Sequence, residues 1–458
     1  MKRYLNFKNL IVILLLLLGV FLRLYNLSQR TVFNADQEWL AIRAKNVISG
    51  DLALIGPVTS VGNFSIGPGF VYLWSIFSFI VGYSPIAGAL LSVFLGTLFL
   101  IGIYLFTKFF INEKVALFIL LLTSVSSGLV FWDQIPWTPS LFYLSQIILL
   151  FGAYSSNKNA WGYPLMSLGL VLGFQSHVGI VLSIIPILVY LLFVKPIKPT
   201  LKIIIVTLSI LFLGFLPSLI FDLTHNFENV KRLADVVKGD GLDYFVGFGK
   251  IINILSYNAI SLIYPNNKIP IDSILIKGLF ALVVANGIRL LRSKRFNKLS
   301  FLLLITIILP SLFFYIQQGK FSEYYLMMTI PSLILLVALF LNEIRNRNTI
   351  LILVTIIGVY LNLKMIKDRK VQFNLEAKRK VTEYIVSKAG ESDYGISLTT
   401  RYGEQFGFNY IFDYYSIKAD IPPKKGETKI FSIIIPEGFD GITGIKDFDG
   451  IGLIWQGM

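Results

Sequence analysis

Residues 10–39 read LIVILLLLLGVFLRLYNLSQRTVFNADQEW, an apolar run followed by a polar segment carrying two acids. Leu10–Val20 has no polar side chain, and Lys2, Arg3 and Lys8 precede it. A secretory signal peptide would continue into a small-residue cleavage site. Arg23-Leu24-Tyr25 stands there instead, so the run is expected to stay as a first membrane helix. Beyond it lies Phe33-Asn34-Ala35-Asp36-Gln37-Glu38-Trp39. Residues 37–49 have the spacing of a short amphipathic helix, with Leu40, Ala44, Val47 and Ile48 on one face and Gly50 as its stop. Asp36 then falls at the helix N-terminus, where free N–H groups hold a carboxylate ionised. Two readings follow: a helix cap, or a poised base.

Composition sets the class. The chain has 458 residues, 55% hydrophobic and 15% charged, with a mean hydropathy of +0.71. Length alone would suggest about three soluble domains at ~150 residues each. Long apolar runs recurring between residues 9 and 366 instead make this an all-α polytopic membrane protein. It has no cysteine, which excludes disulfides and thiolate metal sites. Residues 367–458 hold 13 basic and 13 acidic side chains, so the whole +15 excess belongs to residues 1–366. Lipid topology accounts for such a distribution, and a nucleic-acid partner does not.

Eleven spans are expected, at about 9–27, 84–107, 115–131, 138–154, 161–176, 178–194, 203–221, 272–291, 299–317, 323–342 and 349–366. A further apolar stretch, 67–82, decides the parity. If it does not cross, the cytoplasmic pieces carry sixteen basic residues against two acids, Glu113 and Glu343. If it crosses, every later basic loop faces outward, against the positive-inside rule. We therefore expect 67–82 to lie at the outer surface or insert partly. The N-terminus is then cytoplasmic in a multi-pass plasma-membrane protein, and residues 367–458 are extracytoplasmic. Eleven of the thirteen acids in residues 1–366, and both histidines, fall on the outer side.

The outer loops hold the candidate chemistry. The first combines Asp36 and Glu38 with Gly56-Pro57-Val58-Thr59-Ser60 and Gly67-Pro68-Gly69, turns whose N–H groups could converge on a phosphate or simply bound a helix. Asp133 stands between Trp132 and Trp137, an arrangement suited to a sugar face or to the membrane interface. Gln175-Ser176-His177 joins two spans, with His177 at a cavity mouth. Phe221-Asp222-Leu223-Thr224-His225-Asn226 opens the largest loop, followed by Arg232. Lys320 and Tyr324-Tyr325 begin the tenth span. Two histidines with no carboxylate at ligand spacing give no metal site. In 367–458 the pattern changes: a helix at 374–389 and short strands at 394–400, 429–435 and 451–455 make a small α/β domain, separate from the membrane part at 1–366.

Taken in order, these segments resemble family 39 of the GT-C superfamily glycosyltransferases, which includes protein O-mannosyltransferases and lipid A aminoarabinose transferases. The resemblance covers about residues 5–345. It rests on Asp36-Gln37-Glu38, Gly-Pro-x-Thr-Ser at 56–60, Gly-Pro at 67–68, Trp-Thr-Pro-Ser at 137–140, Gln-x-His at 175–177, Phe-Asp-x-x-His-Asn at 221–226 and Tyr324-Tyr325.

It implies transfer of a sugar, with inversion, from a polyprenyl-phosphate donor to a glycan, lipid or protein acceptor on the outer face. No cofactor is implied. The catalytic-base role passes to Asp36, with Glu38 as the accompanying acid. Side chains at i and i+2 do not share a helix face. Donor and acceptor contacts pass to His177, Asp133, Asp222, His225, Arg232, Lys320, Tyr324 and Tyr325. Because Ile66-Gly67-Pro68 offers no cation, the donor phosphate is expected to meet His177, His225, Arg232 or Lys320. The alternative is a lipid or solute transporter or flippase, which usually shows ionisable groups at mid-membrane or paired helix breaks. A non-enzymatic scaffold presenting residues 367–458 is a third possibility.

Overall fold

The computed structural model describes residues 7–59, 63–238, 247–265, 273–316, 323–344, 347–390 and 393–456, apart from 402, 404, 426 and 428. Its helices are α1 (Phe7–Leu24), α2 (Leu27–Arg30), α3 (Ala35–Ile48), α4 (Gly69–Ile80), α5 (Ala87–Phe110), α6 (Glu113–Val125), α7 (Ser127–Asp133), α8 (Phe142–Ser155), α9 (Gly162–Phe174) and α10 (Ile180–Val194). They continue as α11 (Leu201–Thr224), α12 (Glu228–Lys238), α13 (Phe248–Ile260), α14 (Ile274–Leu290), α15 (Asn297–Ile316), α16 (Ile330–Glu343), α17 (Arg347–Asp368), α18 (Leu375–Ala389) and α19 (Phe408–Tyr414).

Each of the eleven expected spans is helical. Five helices among the described residues are long and apolar enough to cross a membrane, and α6 with α7 makes a sixth, bent by 60°. Asn112 starts α6, its side chain accepting from Lys114 N and Val115 N. Ser126 breaks the helix and caps α7 through Leu129 N. The stretch at 67–82 forms α4, 12 residues long. It rises about 18 Å, well short of the ~30 Å hydrocarbon layer, and packs on α3 and α5.

The chain after α17 builds a five-stranded sheet in the order β2 (Ala419–Asp420), β1 (Tyr394–Thr400), β3 (Ile430–Ile435), β5 (Ile451–Gln456), β4 (Lys446–Phe448). β1 pairs parallel with β2 and β3, and β5 pairs antiparallel with β3 and β4. Alternation in Ile430–Ile435 sends Phe431, Ile433 and Ile435 into a core shared with Val381 and Ile385 of α18. The sequence pattern located α18, β1, β3 and β5. It missed α19, β2 and β4, which are too short to leave a periodic signal.

This α/β unit sits directly on α3. Leu375 N donates to Thr31 O at 2.9 Å, and Lys45 pairs with Asp413 of α19. α19 packs on α3, and α18 packs on α2.

Candidate active site

α3 begins two residues earlier than the apolar spacing suggested, and this changes the role of Asp36. Asn34 is the N-cap and closes a capping box: Asn34 N donates to the Gln37 side-chain oxygen at 3.0 Å. Asp36 lies inside the first turn, relieved of capping, and its carboxylate opens into a cavity of about 490 Å³.

Five separate parts of the chain wall that cavity. They are the start of α3 (Ala35, Asp36, Trp39, Leu40), the turn at Pro57–Thr59 with Ile66, Trp137–Pro139, Ser176–Val178, and Tyr324-Tyr325. Trp137, His177, Tyr324 and Tyr325 form one aromatic side. The Trp137 and Tyr324 rings stand 4.8 Å apart, His177 and Tyr325 5.4 Å, and Tyr324 and Tyr325 4.6 Å, all between centroids. A carboxylate facing clustered rings is suited to a sugar, whose C–H face packs on aromatics while its hydroxyls seek acceptors.

Two electrostatic features follow from burial. The sequence placed Asp36 at a helix terminus, which lowers a carboxyl pKa. In the structure Asp36 keeps an exposed edge, yet the cavity walls desolvate it enough to push its carboxyl above the usual 3.8. The raised value makes a stronger base of the ionised form. His177 is pushed down to about 4, again by desolvation. Its Nδ1 accepts from Gly179 N at 2.9 Å, so the neutral ring carries its proton on Nε2. His177 is therefore a neutral hydrogen-bonding group at neutral pH, and not the cation expected for a phosphate.

Of the ten residues singled out in the sequence, the structure brings together Asp36, His177, Tyr324 and Tyr325. Glu38 is buried and turned away, its Oε1 accepting from Tyr410 N at 3.0 Å in α19. Asp133 is fully buried and ion-paired to Arg23 of α1 at 2.6 Å, while its neighbour Trp137 lines the cavity instead. Asp222 accepts from Asn229 N at 2.9 Å and caps α12. His225 is exposed and stacks on Phe221 with centroids 4.1 Å apart. Arg232 donates to Asn63 O at 3.0 Å and pairs with Glu228. Lys320 lies outside the described residues.

Asp222 and Arg232 nonetheless bear on the cavity through the turn they hold. Asn229, positioned by Asp222, accepts from Ser65 N at 2.6 Å and donates to Ser65 O at 3.0 Å. Ser65 adjoins Ile66 in the cavity wall.

The glycine N–H groups of the Gly-Pro turns are not open to a phosphate, because each already has an acceptor in the protein. Gly56 N donates to Ile66 O at 2.8 Å, Gly67 N to Phe174 O at 3.3 Å, and Gly69 N to the Gln175 side-chain oxygen at 2.7 Å. The glycines serve close packing. A Cβ at Gly67 would lie 2.1 Å from Gln175 Oε1, and one at Gly56 2.3 Å from Gly67 O.

The chain's Asp-x-Asp triplet, Asp447-Phe448-Asp449, runs from the end of β4 into the turn before β5, where Asp447 accepts from Gly450 N at 2.9 Å. Among the described residues no group of three His, Asp or Glu side chains is placed to hold a metal ion.

A second, apolar cavity of about 550 Å³ runs between α13, α14, α15 and α16, lined by Phe248, Ile251, Leu255, Phe280, Ile308, Leu312 and Tyr315 among others. Phe248, Ile308 and Leu312 are exposed on it. Next to Tyr315, Phe314 stacks on Tyr325 with centroids 5.8 Å apart, so the end of α15 adjoins both cavities. The sequence did not separate this groove from the lipid-facing surface, since both are apolar.

No family profile matches the sequence, and no curated protein matches it. Among solved structures the chain is similar to ArnT from Cupriavidus metallidurans bound to undecaprenyl phosphate, with a TM-score of 0.64 at 9% identity over 97% of both chains. The apo form of that protein gives a TM-score of 0.63 at 10% identity, again over 97% of both chains. The Archaeoglobus fulgidus oligosaccharyltransferase AglB in complex with an inhibitory peptide and a dolichol-phosphate gives 0.52 at 12% identity, over 95% of this chain and 70% of that one. ArnT and AglB both belong to the GT-C superfamily. The fold of this chain is the GT-C fold of these structures.

Proposed function

We propose that this GT-C-fold chain is a glycosyltransferase that moves a sugar from a polyprenyl-phosphate donor to an acceptor on the outer face of the membrane, inverting the anomeric carbon with Asp36 as general base. The observation that carries the reading is the Asp36 carboxylate opening into an aromatic-walled cavity of about 490 Å³, uncommitted to capping its own helix. The acceptor hydroxyl gives its proton to Asp36, its oxygen bonds to the anomeric carbon, and the bond from that carbon to the phosphate oxygen breaks. The leaving polyprenyl phosphate carries away the electron pair.

His177, through Nε2–H, and the Tyr324 and Tyr325 hydroxyls are the polar groups that face the transferring sugar and its phosphate. No lysine or arginine is among the described residues lining the cavity. Lys320, four residues before Tyr324 in the sequence, is the proposed cation. The apolar groove beside α15 takes the polyprenyl chain. The lipid phosphates bound to ArnT and AglB support this assignment.

The test is radiolabel transfer from a polyprenyl-phosphate sugar by the full chain in proteoliposomes, with Asp36→Asn as the variant. Loss of a general base costs about 10²–10⁴ in rate, and Asn34 keeps α3 capped. Near-wild-type transfer by Asp36→Asn would overturn the assignment. Solute or lipid flux without any transfer would favour the transporter.

A further inference from the structure

Lys378 is a cation on the apolar stripe of α18, fully buried beside Ala377 and Val381. Burying an ammonium is costly unless hydrogen bonds repay the lost hydration, so a side chain meant only for packing would be Leu or Met. Its Nζ donates to Phe33 O at 2.9 Å, to Asn34 Oδ1 at 3.3 Å and to Phe406 O at 2.5 Å. Two of these acceptors belong to the residues that lead into α3, one of them the N-cap. Gly407, at φ +94°, packs against the same carbonyl beside the ammonium, and a Cβ there would lie 2.1 Å from Phe33 O and 3.0 Å from Lys378 Nζ. One turn into α3, Glu38 Oε1 accepts from Tyr410 N at 3.0 Å. Tyr410 in turn donates its hydroxyl to Tyr83 O at 2.7 Å.

The grips fall at residues 33–34 and at 38, and Asp36 lies between them. Neither Lys378 nor Glu38 reaches the cavity. We propose that the C-terminal α/β unit is a positioning element for Asp36, acting through Lys378 and Glu38. The proposal rests on the reading of Asp36 as the base. A carboxylate that must meet an acceptor hydroxyl tolerates little displacement, and a shift of about 1 Å costs on the order of 10²-fold in rate. Clamping both sides of Asp36 from outside the membrane part prevents that shift.

The experiment measures kcat, donor KM and amide hydrogen exchange on the full chain in detergent, for the wild type, Lys378→Met, Glu38→Leu, Glu38→Gln and Asp36→Asn. Lys378→Met and Glu38→Leu should lower kcat about ten- to hundredfold and leave donor KM nearly unchanged. Exchange should quicken across residues 33–40 while β1 and β3 stay protected. Glu38→Gln keeps the acceptor oxygen and should recover most of the kcat lost in Glu38→Leu. Unchanged kcat and unchanged exchange in Lys378→Met would overturn the proposal. So would faster exchange throughout β1 and β3, since Lys378 would then only hold the unit's own fold. Retained transfer by Asp36→Asn would sink the base and leave the grip standing, because exchange at 33–40 reads the grip without any turnover.

Discussion

The Arg23 Nε donates to Asp133 Oδ2 across 2.6 Å, and both side chains are fully buried. The same guanidinium donates to Gly19 O at 3.0 Å and Ser124 O at 3.1 Å, so it pins α1 to the bend between α6 and α7. Removing one partner of a buried pair strands the other charge and costs about 3–5 kcal/mol. Asp133→Asn should therefore lower the unfolding temperature of the purified protein, with turnover per folded molecule changing far less. Lost turnover at an unchanged unfolding temperature would return Asp133 to the sugar site.

On the proposed mechanism the ionised Asp36 carboxylate is the base, so kcat/KM should rise with pH through the pKa of this group in the free enzyme. Burial lifts that pKa above 3.8, and the acid limb of the profile should lie correspondingly higher. A limb at or below 3.8 would show that the helix terminus, and not the cavity wall, governs this group.

His177 should stay neutral as the pH falls to about 4. The chain has two histidines, so nitrogen-15 histidine labelling gives a spectrum simple enough to assign with a His225→Asn variant. The sign for stability follows. The unfolded chain takes up this proton near 6.5 and the folded one near 4, so stability falls as pH drops through that window. A His177 resonance titrating near 6.5 would contradict the neutral role.

Orientation is testable by labelling, because the wild type contains no cysteine. A cysteine at Ser387, exposed on α18, should react with an impermeant reagent added outside intact cells. One at Ser293, between α14 and α15, should be protected. The reverse pattern would invert the whole map and move the cavity to the cytoplasmic face.

The membrane class, the positions of the apolar helices and the change to a mixed helix and strand pattern after residue 367 were legible in the sequence, because each is a local property of hydrocarbon run length or side-chain period. The acid segment at 36–38 also stood out, whereas Lys378 did not. Tertiary structure alone decided which polar groups share a cavity. Asp36, His177 and Tyr324 converge from distant positions, while each of three other carboxylates is claimed elsewhere. Glu38 is held by an amide 372 residues away, Asp133 by a guanidinium 110 away and Asp222 by an amide 7 away. An acid's role depends on whether a donor meets it or a cavity does. The partners of Glu38 and Asp133 lie too far along the chain to leave a local pattern, and only folding brings them into contact.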